Sequence, residues 1–281
     1  MQRTLRTMLF ILSAGAVALS VADAQDQYTL QYKLEKGKVY RFADTTLVKS
    51  SQEMMGQEVK STSTVLTTTR LVPAEIRADG STVLTVSPDV MSVSIKNARM
   101  DTTMVIKDAI GKRTRLTISK LGETISREVI DSVNLSGMAA QTGRQDMVRL
   151  HVMPSKPVKV GEKWNATKRD TLDSQGGKMV TVSVSDFTLL SSETKSGTPC
   201  VKISYTGKLT ISGKGTMNGM EFFVEGTGTT SGTYFVDIAT GMPVVEDSKY
   251  DVESTVAITG AQNMTIPGSQ SVTAHRTLLK D

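Results

Sequence analysis

Few residues in this chain can do acid–base or nucleophilic work. Two histidines, His151 and His275, a single cysteine, Cys200, and scattered carboxylates are the whole supply of readily tuned groups. Neither histidine stands at i, i+4 from another metal ligand, so the spacing builds no metal site. Glu246 and Asp247 are neighbours, but adjacent side chains on a strand point to opposite faces, which keeps the two carboxylates out of a shared site. Cys200 lies in Pro199-Cys200-Val201-Lys202-Ile203, where nothing nearby would stabilise a thiolate; it reads as buried and inert. Exposed, it would permit an intermolecular disulfide. The nucleophile-elbow, P-loop and dinucleotide glycine patterns are all missing. No catalytic residue is therefore assigned, and an enzyme is not expected. A hydrolase would return as an alternative if a cleft gathered His151 or His275 with carboxylates.

Methionine is frequent, at 15 residues, and Met54, Met55, Met217 and Met220 cluster at two expected hairpin tips. Thioethers can ligate Cu(I), but no histidine accompanies these, and methionine also fills irregular apolar space. The sequence calls for a greasy contact surface and for no metal or other cofactor.

These groups must be carried by strands, because period-two alternation recurs while helical periodicity is nearly absent. Val180, Val182 and Val184 alternate with Thr181, Ser183 and Ser185, and Met91, Val93 and Ile95 alternate with Ser92, Ser94 and Lys96. Asp79-Gly80 and Asn218-Gly219 suit two-residue type I′ hairpins. Gly56-Gln57 suits a type II′ turn that would set Met54 against Val59 and Glu53 against Lys60. The Asn218-Gly219 turn fixes a register in which Leu209, Ile211, Gly213, Gly215 and Met217 oppose Gly228, Gly226, Val224, Phe222 and Met220. Glycine is costly inside a strand, so its repeated placement opposite large side chains indicates a bent sheet, apolar on the concave side. That face, with Leu209, Ile211, Met217, Met220, Phe222 and Val224, is the expected ligand surface.

The fold expected is mainly β: an antiparallel curved sheet or half-barrel built from two related β-meanders, with one short helix near the middle. Residues 1–24 read as a signal peptide. Arg3 and Arg6 precede the apolar run Met8 to Val21, and Ala22-Asp23-Ala24 offers cleavage after Ala24. The first meander half occupies 25–125, a helical or irregular connector 126–153, and the second half 154–281. Within the connector, Arg127 to Met138 is the helix candidate, since Val129, Ile130, Val133 and Met138 can share a face. The halves are related by Leu34-Glu35-Lys36-Gly37-Lys38-Val39-Tyr40, whose pattern returns at Val158-Lys159-Val160-Gly161-Glu162-Lys163-Trp164. Removal of the signal turns 33 basic and 28 acidic residues into 31 and 27, too mild a balance for nucleic acid. It also leaves no stretch able to span a membrane as a helix.

Tyr234-Phe235-Val236-Asp237-Ile238-Ala239-Thr240-Gly241-Met242-Pro243-Val244 resembles the strand-turn-strand signature of periplasmic lipoprotein-carrier-type half-barrels, which implies strands around an apolar cavity. Together with Lys156-Pro157 through Trp164, it is similar to a group of exported bacterial β-rich proteins of unknown function. That resemblance implies an envelope protein, periplasmic or extracellular, and brings no catalytic residues. The expected function is non-enzymatic binding of a lipid or other apolar or amphipathic ligand on the concave sheet face. The alternative is a structural or adhesive envelope module that binds another protein.

Overall fold

The computed structural model describes residues 26–54, 56–131, 149–174, 177–217, 219–260 and 263–280. The proposed signal peptide lies outside them. The described chain is almost entirely antiparallel strand: β1 (Gln27–Tyr28), β2 (Tyr40–Met54), β3 (Gln57–Ile76), β4 (Thr82–Asn97), β5 (Met100–Val105), β6 (Thr114–Ile118), β7 (Thr124–Val129), β8 (Val158–Lys159), β9 (Lys163–Ser174), β10 (Gly177–Lys195), β11 (Thr198–Met217), β12 (Met220–Asp237), β13 (Pro243–Thr259) and β14 (Met264–Leu279). β1 pairs with β8. The rest form one sheet in the order β7-β6-β4-β3-β2-β14-β13-β12-β11-β10-β9, with β5 also on β4. Sequence neighbours pair from β2 to β4 and from β9 to β14, and the β14–β2 ladder joins these runs into a single sheet. β7 lies beside β9, which brings the two ends of the sheet together as a nearly closed barrel.

The expected helix does not form where the chain is described. Arg127 and Val129 belong to β7, where Arg127 opposes Leu116 of β6; Val133 to Met138 fall outside the described residues. Among the described residues the helical content is one 3-10 turn, Lys107–Ala109. Ladder hydrogen bonds to β6, repeated at each pair, outweigh a weak apolar stripe interrupted by glycine.

The β11–β12 hairpin has the register set by Asn218-Gly219. Leu209, Ile211, Gly213, Gly215 and Met217 face Gly228, Gly226, Val224, Phe222 and Met220, and Gly219 supplies the positive φ that the turn needs. The other two turns differ from expectation. Arg77 N–H donates to the Ser81 carbonyl and Gly80 N–H to the Arg77 carbonyl. This makes a three-residue loop that ends on a left-handed glycine. Between β2 and β3, Met54 pairs with Gln57 and Glu53 with Glu58, two residues away from the register expected for Gly56-Gln57. Glu58 tolerates Glu53 opposite because Ser51 donates to it at 2.7 Å and Lys60 lies 2.8 Å away.

Inward and outward faces alternate along the strands. Met91, Val93 and Ile95 of β4 are buried inside. In β10 the expected polarity is inverted: Val184 is 45% exposed on the outer face while Ser185 and Phe187 are buried inside. The outer face of β11 is polar, with Lys208, Thr210, Ser212 and Lys214 all exposed, whereas other strands expose apolar side chains such as Leu66, Leu190 and Phe223.

One end of the barrel is sealed. Leu30, Tyr32 and Leu34 of the N-terminal strap and Leu150, Met153 and Val158 of the segment leading to β9 pack with Phe42, Leu84, Ile118, Leu189, Ile203 and Tyr234 into one core. Each such buried side chain contributes on the order of 1.5–3 kcal/mol. Backbone bonds stitch the strap in place. Tyr32 N–H donates to the Lys120 carbonyl, and Lys33 N–H to the Thr240 carbonyl. Two turns are anchored here as well: Gly37 N–H donates to the Pro73 carbonyl of β3, and Gly161 N–H to the Leu189 carbonyl of β10. The opposite end, where β2–β3, β11–β12 and β13–β14 turn, has no such strap among the described residues.

Candidate functional site

Above the sealed end the barrel keeps a lumen of about 460 Å³. Its apolar wall is built by strands remote in sequence: Val65 of β3, Met91 of β4, Leu209 and Ile211 of β11, Val252 of β13 and Val272 of β14. These residues reach a common space because each occupies the inward phase of its strand. Gly228 sits opposite Leu209, and a Cβ there would fall 2.3 Å from the Asp251 carbonyl oxygen. A side chain at 228 is thus excluded by the tight approach of β12 to β13. Thr181, Ser183 and Ser185 of β10 add a hydroxyl strip.

The floor of the lumen is charged. Arg276, only 2% exposed, donates to Asp44 from Nε at 2.7 Å and from Nη2 at 3.3 Å, and from Nη1 to the Arg149 carbonyl. Arg149 donates to Asp44 at 2.7 Å and to Ser248 at 3.2 Å. His151 Nε2 lies 3.1 Å from Glu246 Oε1, so the lumen does gather His151 with a carboxylate, the condition on which the hydrolase alternative rests, and the His151 ring stacks on Tyr234 with centroids 4.2 Å apart. Burial alone would raise the Glu246 pKa. The neighbouring His151, with Arg149 and Arg276, outweighs it and holds the carboxyl down to about 2.

Ionised Glu246 therefore stabilises the fold fully above its ordinary value of 4.5, and this contribution is lost as pH falls from there toward 2. Urea midpoints measured from pH 6 to pH 2 should decline across that window, and Glu246→Gln should shallow the decline. The Tyr205 and Thr230 hydroxyls on the same floor are buried and lie close to one another, with Tyr250 also within reach of Tyr205.

Leu209 and Ile211 line the lumen. Phe222 and Val224 lie in the inward phase of β12, half-buried toward the open end, and are not part of the lumen wall. Phe222 opposes Gly215, which in turn opposes Gly177. Its ring reaches across both glycines. Met220 is half-buried at the same rim, and Met217 pairs with it there. Cys200 is fully buried, and burial pushes its thiol pKa up. Glu246 faces inward and Asp247 outward, so the two carboxylates are separated.

Sequence reasoning missed Asp44, Arg149 and Arg276. A signal was present in part: Asp44 falls in phase with Tyr40 and Phe42, and Arg276 with Ala274 and Leu278. A charge in the apolar phase of a strand needs a buried partner.

On the outer face, His275 Nδ1 lies 2.7 Å from Asp247 and Nε2 lies 3.0 Å from Thr277 Oγ1. This acid–histidine–hydroxyl chain has the order of a nucleophile relay. However, Thr277 and His275 are paired on both sides, to β13 and to β2. Their amides are held in ladders and are not free to stabilise an oxyanion. A wider depression of about 900 Å³ near the open rim is ringed by Glu53, Glu58, Glu225 and Glu253 and lies open to water. Among the described residues no group of three or more histidines, cysteines and carboxylates is arranged to hold a metal.

Residues 145–243 match the model of DUF6263, a family of unknown function. The match spans the stretch from Lys156 to Trp164 and nearly all of the Tyr234–Val244 turn. No curated protein matches the chain. Among solved structures it is similar to an outer membrane channel from Pseudomonas putida F1, with 12% identity over 88% of this chain and 97% of that one and a TM-score of 0.29. Pseudomonas aeruginosa OpdQ gives 6% identity over 86% and 100%, with a TM-score of 0.28. The lipoprotein-carrier likeness gains no support from any of these. The turn behind it is real, with Asp237 accepting from the Ala239 amide at 2.9 Å and from Thr240 Oγ1 at 2.6 Å.

Proposed function

We propose that this is an exported, non-enzymatic binding protein that holds an apolar or amphipathic ligand inside its barrel. The observation that carries this reading is the lumen itself, with an apolar wall, a sealed charged floor and an open rim. The sequence-based expectation of a concave sheet face becomes the inside of a nearly closed barrel. Its 460 Å³ lies within the usual range for small-molecule sites, about 300–1,000 Å³.

The distribution of polarity supports a water-soluble carrier over a membrane pore. A membrane-spanning barrel turns an apolar band outward toward lipid. Here Lys208, Lys214, Glu221 and Glu225 are exposed on the outer faces of β11 and β12 and break up the apolar side chains that are also exposed outside, Phe223 and Val184 among them, while Leu209 is buried inside.

Titration with an environment-sensitive apolar dye tests the proposal. Saturable binding should weaken by about tenfold or more in Ile211→Glu, which sets a charge into the lumen wall. Thr210→Glu, one residue along on the outer face, should bind as the wild type does. Equal dye affinity in both variants and the wild type would place binding outside the lumen. A stoichiometric protein partner captured from envelope extracts, with no small molecule in the lumen, would favour the adhesive alternative.

A further inference from the structure

We infer that the ligand is a lipid with a long hydrocarbon chain that lies extended along β11, β12 and β13, from Leu209, Ile211 and Val252 in the lumen to Val224, Val256 and Ile258 at the rim. This rests on the binding role proposed above and adds the chemical class of the ligand and its path. Three observations carry it.

The first is that polarity divides the lumen by strand and not by depth. One ladder row runs Lys168, Ser183, Leu209, Gly228 and Val252, and the next inward row runs Asp170, Thr181, Ile211, Gly226 and Ser254. Lys168 lies 3.2 Å from Asp170, and with the hydroxyls of β10 this pair makes β9 and β10 the polar wall at that level. Gln270 follows Val252 on β14. The carbon surface between them belongs to β11 and β13, so hydrocarbon packs along those strands.

The second is that this surface does not end with the lumen. Beyond Ile211 the inward phase of β11 is glycine, and β12 supplies Val224 opposite Gly213 and Phe222 opposite Gly215. The same rows continue through Val256 to Ile266 and through Ile258 to Met264. These inward side chains are half-buried, and none belongs to the buried cores of the described residues. Ser254 is the single polar side chain in the inward phase between Val252 and Val256.

The third is length. Val252 to Ile258 covers six residue steps, roughly 20 Å at the rise of a strand. An extended acyl or prenyl chain fills such a strip, whereas a compact ring molecule would leave the rim bare. A bilayer is a poorer occupant. Lys214, Glu221, Glu225 and Glu253 are exposed in the outward phase of the same strands, and an inserted rim would carry them into lipid.

Displacement of an apolar dye by fatty carboxylates from octanoate to hexadecanoate, each below its micelle concentration, tests the path. The headgroup is constant, so only chain length varies. Affinity should rise about twofold to fourfold per added methylene through hexadecanoate, because methylenes added beyond the lumen still meet carbon. Val256→Asp should bind octanoate as the wild type does and lose about tenfold or more on hexadecanoate. Its unchanged octanoate affinity reports an intact barrel. Val256→Thr, close in shape and suited to a strand, should lose several-fold on hexadecanoate alone. Thr255→Asp, one residue along in the outward phase, should match the wild type throughout the series. Farnesoate measured against dodecanoate distinguishes the two chain types, the tighter binder marking a prenyl or an acyl ligand.

An affinity that stops rising once the lumen is filled, or equal losses of octanoate and hexadecanoate in both Val256 variants, overturns the inference and leaves the lumen as a binding site. Sedimentation with phosphatidylcholine vesicles in place of any chain-length dependence overturns it too, and assigns the rim to a membrane. Failure of every carboxylate to displace dye overturns both proposals.

Discussion

Replacing Asp44 with alanine will destabilise the fold by about 3–5 kcal/mol, seen as a lower urea midpoint at pH 7. Asp44 receives Arg276 through two nitrogens and Arg149 through one. Without it, a guanidinium that is 2% exposed stays inside the barrel with its main counter-charge gone. The cost comes from the abandoned charge more than from the lost attraction, so removing both partners should hurt less than removing one. Asp44→Leu combined with Arg276→Leu is therefore expected to be more stable than Asp44→Ala alone. Thr45→Ala, next along β2 but outward and exposed, should stay within about 0.5 kcal/mol of wild type.

Gly241→Val is expected to cost roughly 2–5 kcal/mol and to release the N-terminal strap from the sealed end. Gly241 adopts φ 75°, a left-handed conformation that a β-branched residue adopts only with strain. Any Cβ there would also come within 2.2 Å of the Gln31 carbonyl oxygen. The strap has to move, and the bond from Lys33 N–H to Thr240 is lost with it. Because Tyr32 and Leu34 help close the barrel, amide exchange should accelerate at Tyr32 and Lys33 well before it does in β11 or β12. Gly37→Val makes a useful comparison, because Gly37 has a similar φ of 80° but nothing within 4 Å of a Cβ. It should show the backbone penalty without the clash.

The difference between what the sequence dictates and what only the folded barrel reveals follows the range of the interactions. The β11–β12 register rests on a two-residue turn and was readable because Asn218-Gly219 is decisive locally. The polarity of β10 was not readable, since valines alternate with serines and threonines in either orientation. The inward phase of that strand is set by Phe187 and Leu189, which are buried in the sealed core. The charged floor was the least accessible of all. Asp44 and Arg276 are 232 residues apart in the chain, and Arg149 and His151 arrive on an irregular segment whose path no periodicity describes. The lumen likewise arises only when β7 comes to lie beside β9. A single hairpin shows a concave apolar face but not the space it helps to enclose.

The central claim is that the ligand sits inside the barrel against β11 and β13. Intermolecular NOEs between a bound long-chain carboxylate and ¹³C-methyl-labelled protein measure this most directly. Contacts from the chain protons to the methyls of Leu209, Ile211 and Val252 are predicted, with none to Val184 on the outer face. Contacts confined to Val184 and its exposed neighbours, or a saturated complex in which the Leu209 and Ile211 methyls show no ligand contact, would contradict the account.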